Sequence, residues 1–276
     1  MADMAAGSRA DAPDRFHRMA AGLRSLAVAT FAGFLSGMVA LGIGSRLAMR
    51  IVALLASDAD QGTLTDAQAI VGEITVGGTI FLTLLGGAAG AVGGLLYLAI
   101  HRRLAWAGRW RGVAFGALLL AIFGSVLIEA SNPDFDGLGI PIVNVAIFAA
   151  LFVSFGMLIA PVYDNLQRAV AAPSRTITGY LLFTAQAAGM LLSLPATLLV
   201  IAVLLAGASD RGLIALAIPA FFVYVLVALP IASTMPRFRP SHAPSDPRAA
   251  FATVMPLAPP VAIGIALDVR ELLAIL

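Results

Sequence analysis

Along the chain, long stretches without Asp, Glu, Arg or His are separated by short polar segments, and each apolar stretch is continuous rather than alternating. About 30 Å of hydrocarbon at 1.5 Å of rise per residue asks for roughly 20 residues per crossing. Six stretches meet that length, and they predict transmembrane helices at about 25–45, 77–100, 112–130, 141–163, 179–206 and 212–235. A membrane barrel would instead show short segments alternating apolar with polar residues. The expected fold class is therefore all-α: a polytopic transmembrane helix bundle over 25–236, preceded by a polar cytoplasmic tail at 1–24. That tail, and an Ala27-Val28-Ala29 triplet at the wrong end of the first apolar run, argue against a cleaved signal peptide.

The segment 237–276 is harder to place. Residues 249–267 are uncharged and nearly long enough to span, but Pro256, Pro259 and Pro260 interrupt them. Each proline removes a backbone donor and crowds the preceding turn. Asp268 and Glu271 then share one helical face. The expectation is a cytoplasmic or interfacial helix packed on the bundle, with a seventh span as the alternative.

Composition sharpens this picture. The 276 residues are 60% hydrophobic and 12% charged, with a mean hydropathy of +0.96; soluble domains average roughly 45–50% and about 25%. So few charges cannot give one compact core a water-facing surface. The absence of cysteine excludes disulfide scaffolds and thiol catalysis. No basic cluster is interleaved with aromatics, so no nucleic-acid partner is expected.

All 17 basic residues are arginine, and their distribution sets orientation. Fourteen fall in alternate segments: the N-terminal tail, the acid-free stretch 101–111, the loop holding Arg168 and Arg175, and the C-terminal segment. The other side holds Arg46, Arg50 and Arg211 together with eight carboxylates. Both termini are accordingly expected in the cytoplasm. A lysine-free chain rich in Ala and Arg suits a GC-rich bacterial genome, which makes a bacterial inner membrane the expected location.

Helices in lipid associate through close packing of small residues. Gly86, Gly90 and Gly94 form a four-residue stripe in the second span, Gly33 and Gly37 repeat it in the first, and Gly112 with Gly116 opens the third. Such stripes serve packing inside the bundle or docking of another subunit.

Ionisable residues within spans are the first functional candidates. Counted along their helices from the cytoplasmic face, Arg46 lies roughly 32 Å and Glu129 roughly 26 Å deep, both near the outer edge of the hydrocarbon. Arg50 follows Arg46 by one turn. Glu129 or Glu73 is expected to pair with Arg46 or Arg50; the alternatives are arginines that reach for the outer headgroups and a site for a small anion or headgroup. Asn144, Thr184 and Gln186 are candidate intramembrane polar contacts that hydrogen-bond a neighbouring helix or line a small cavity.

His17, His101 and His242 all fall in cytoplasmic segments, so no histidine-held haem or metal is expected in the bilayer core. No metalloprotease, nucleophile-elbow, phosphate-loop or dinucleotide motif is present. No catalytic residue, cofactor or metal site is therefore assigned, and an enzyme is not expected. The reading is a non-catalytic accessory or structural subunit packing against membrane lipids and other membrane protein subunits. A small-solute or lipid transporter or channel is the alternative, although the two halves of the chain share no repeat.

Overall fold

The computed structural model describes residues 22, 24–55, 75–127, 140–171 and 252–275. They are almost entirely helical, with no strand among them. We number the helices α1 (Arg24–Leu55), α2 (Val76–Ile100), α3 (Arg111–Leu127), α4 (Pro141–Ala171) and α5 (Ala258–Ile275). A turn of 3-10 helix, Ala105–Trp110, joins α2 to α3. Four helical stretches are long and apolar enough to cross a membrane: Arg24–Leu55, Val76–Ile100, Pro141–Ala169 and Ala252–Ala274. The spans expected at 179–206 and 212–235, and most of the tail at 1–24, lie outside the described residues.

The outer surfaces are apolar. Leu54, Leu273 and Val76 are 70%, 72% and 78% exposed, and Leu47 and Phe81 are nearly as open. In water such surfaces would be a liability; in hydrocarbon they cost nothing. The chain is thus a membrane-embedded helical protein.

Helices α1 and α2 run antiparallel and touch main chain to main chain. Gly33 faces Gly90 and Gly94, Gly37 faces Gly86 and Gly90, and Gly42 faces Thr83 and Gly86. A Cβ on any of these glycines would collide with the opposite backbone, so the sequence stripe is what permits the approach. Spacing changes along α1, however: Gly33 to Gly37 is four residues and Gly37 to Gly42 is five. At about 100° per residue, a fifth residue in an α-helix would point far off the seam. Residues Met38–Ile43 instead form a π-helix, whose i→i+5 bonding returns the fifth residue to the same side. Gly42 therefore rejoins the seam, and Arg46, four residues on, follows it.

Helices α3 and α4 repeat the arrangement. Gly112 and Gly116 lie against Gly156, Phe152 and Val153, again antiparallel. Phe155 of α4 packs on Gly93 of α2, and Leu151 on Gly44 of α1, joining the two hairpins. The core between them holds Tyr97, Ile100, Phe115, Phe155 and Ile159.

Two helices exceed their expected lengths. Helix α1 continues ten residues past 45, and α4, which contains Pro161, continues past 163 through Arg168 to Ala171. Arg168 thus sits in the last turn of α4 rather than in a loop, bonded to Asn165 Oδ1 at 2.6 Å, where a cation suits the helix dipole.

Helix α5 lies lengthwise along α3. Gly264 packs on the Ala121 carbonyl, and Asp268 meets Gly124. Both contacts advance in the same direction along the two helices, so α5 is parallel to α3. Its start is fixed by Arg103, whose Nη1 donates to the Thr253 carbonyl at 2.8 Å.

Candidate functional site

Two polar rims cap the apolar middle. One lies where α2 begins. The Thr75 hydroxyl accepts from the Gly78 amide at 3.2 Å and starts the helix. Over this turn sits the half-buried Arg46, its guanidinium occupying the space a Gly78 side chain would take. Arg46 Nε is buried without a hydrogen-bond partner. A cation against a helix N-terminus is disfavoured by roughly 0.3–1 kcal/mol, so the arrangement collects hydrogen-bond donors and positive potential in one place. Its chemistry suits an anionic group. Arg50, one turn on, is exposed. Glu73 and Glu129, expected to pair with these arginines, lie outside the described residues, as do Thr184 and Gln186.

Asn144, near the start of α4, is buried, and so is Glu271 at 8% exposure. The Asp268 carboxylate faces Gly124 of α3. The carboxylates of α5 thus turn into the bundle rather than toward solvent. Among the described residues, no three His, Asp or Glu side chains converge on a point where a metal would sit.

The other rim is an aromatic nest at the end of α2. Tyr97 and His101, four residues apart, share a helical face. Tyr163 of α4 lies 5.4 Å from both rings, and Phe115 of α3 lies 5.0 Å from Tyr97, edge to face. Arg111 pairs with Asp164 beside them, and Gln167 donates to the Tyr163 hydroxyl at 2.8 Å. The Tyr97 hydroxyl is buried without a hydrogen-bond partner. His101 Nδ1 lies 2.8 Å from the Leu98 carbonyl. A carbonyl only accepts, so this nitrogen carries the proton and Nε2 of the neutral ring is the free acceptor.

Burial, above all, holds His101 below its ordinary value of 6.5. Repulsion from Arg102 and Arg111 acts the same way, and the bond to Leu98 opposes it. Sequence reading missed this nest by treating His101 as part of a polar loop. The available signal was an i, i+4 Tyr–His pair at one helix end and Tyr163-Asp164 with Gln167 at another.

The glycine stripes of α1 and α2 face each other, so neither is free to receive a second subunit. No family model matches the chain, and neither curated proteins nor solved structures give a match.

Proposed function

We propose that the protein is a non-catalytic integral membrane subunit of a bacterial inner membrane, packing against lipids and other membrane proteins. The observation that carries this reading is the middle of the bundle. Between the two rims the seams of α1 with α2 and of α3 with α4 are glycine backbone and apolar side chains, and the carboxylates turned into the bundle there, Asp268 and Glu271, come from α5 alone. A solute path needs groups to replace water along its length, and two carboxylates one turn apart on α5 do not make such a line. Purification in mild detergent from native membranes tests the reading. Stoichiometric membrane proteins or lipids should remain attached. A lone protein whose thermal stability rises with one small solute would favour transport instead.

The proposed topology has seven crossings, with the arginine-rich end in the cytoplasm. Helix α4 ends, and Ala252 begins, at the end of the bundle that carries Arg103 and Arg111. Any crossings between them must then be even in number, as the two sequence-expected spans are. Helix α5 next runs parallel to α3, toward the opposite side. This departs from the expectation of two cytoplasmic termini; it moves only Arg270, leaving 13 of 17 arginines inside. In this cysteine-free chain, Leu273→Cys and Ser131→Cys should label from outside, and Ala107→Cys only after permeabilisation. Labelling of Leu273→Cys only after permeabilisation would return α5 to the inner interface.

A further inference from the structure

We infer that the Ala105–Trp110 turn is a docking surface for anionic phospholipid headgroups, with Trp106 and Trp110 seated at headgroup level and Arg102 and Arg109 on the phosphates. The chain has two tryptophans. Both lie in this six-residue turn, and they are 50% and 58% exposed. Packing does not explain them, since neither belongs to the core. An indole has an apolar body and one N–H donor, which suits the boundary between hydrocarbon and headgroups.

The arginines of 101–111 divide by role. Arg103 is 2% exposed and holds the Thr253 carbonyl; Arg111 pairs with Asp164. Arg102 and Arg109 are left on the surface, in a stretch without a single carboxylate. The Arg109 guanidinium lies over the Trp110 ring at 5.3 Å, a stacking that holds its planar donor array ready for a phosphate. The backbone makes this possible at Gly108, whose φ of 51° lies in the left-handed region and which has open space around it. Helices α2 and α3 both end in this turn, so it is held at the membrane surface by its two flanks. Positive charge on a stretch with no carboxylate of its own, beside two indoles at that depth, complements an anionic leaflet better than a soluble partner.

This inference rests on the proposed membrane embedding, and one experiment separates the two. All tryptophan fluorescence of the protein comes from Trp106 and Trp110. The full chain is reconstituted in phosphatidylcholine with a minor fraction of phosphatidylglycerol, and either lipid is supplied with brominated chains as the quencher. Brominated phosphatidylglycerol should quench out of proportion to its share, with a preference on the order of 5-fold per arginine. The preference should fall toward one in the double variant Arg102→Gln/Arg109→Gln, persist in Arg102→Lys/Arg109→Lys, and weaken in high salt. Soluble glycerol phosphate should leave it unchanged. Equal quenching by the two brominated lipids would overturn the inference while leaving the embedding intact. Competition by glycerol phosphate would mark a site for soluble anions and overturn it too. Absence of quenching by either lipid would overturn the embedding of this end along with it.

Discussion

At the residue scale, single atoms decide contacts that the bilayer cannot supply by hydrophobicity. A Cβ at Gly90 would meet the Gly33 carbonyl and the Gly37 backbone. Gly90→Val should therefore force α1 and α2 apart, with a loss of about 1–3 kcal/mol, the usual cost of overpacking. Reversible unfolding in mixed detergent micelles measures it, and Gly77→Val, where nothing lies nearby, is the control. His101 makes a second prediction. Its lowered value means that it supports the fold fully above pH of about 6.5 and that this support is lost as acidification passes down through the lowered value. Protonation would place a cation against Arg102 and Arg111, with Tyr97 and Tyr163 on its other sides and Asp164 already taken by Arg111. The midpoint of thermal unfolding in detergent should drop more steeply on acidification for the native protein than for His101→Gln. Parallel profiles would show that the ring does not titrate in this range.

At the scale of elements, the apolar runs were legible because hydrocarbon thickness fixes their length. The glycine spacing in α2 was legible because a period of four on a helix makes a stripe. Less visible was whatever depends on how two helices meet. The pattern Gly33, Gly37, Gly42 looks broken in a one-dimensional reading, and only the π segment at Met38–Ile43 shows it to be one seam. The prolines at 256, 259 and 260 suggest an interrupted segment, yet the helical stretch Ala252–Ala274 runs through them. It tightens to 3-10 geometry at Met255–Leu257 and places Pro259 and Pro260 in the first turn of α5, where a missing N–H costs no bond of that helix. The aromatic nest was hidden for a similar reason, since its members come from three helices and none is unusual alone. The π segment makes its own prediction. Deleting Val39, which is exposed, would turn the five-residue interval into four and let α1 close as a plain α-helix with Gly42 and Arg46 still on the seam. That deletion should leave thermal stability nearly unchanged. Deleting Leu35, inside the four-residue interval, should abolish folding, read as loss of a monodisperse peak in detergent.

At the scale of the whole molecule, the described helices form two glycine-seamed hairpins pointing the same way, with α5 laid along the second. The hairpins differ from the joint between them. Within a hairpin, main chain touches main chain, and neither a lipid tail nor a water molecule has room to enter. Between hairpins, the fit is made by flexible side chains such as Phe155 and Leu151 seated on Gly93 and Gly44. Rotating a ring is cheap compared with separating two backbones. If the protein flexes as partners bind, each hairpin should travel as a rigid plank, and the bending should be absorbed where Phe155 and Leu151 rest.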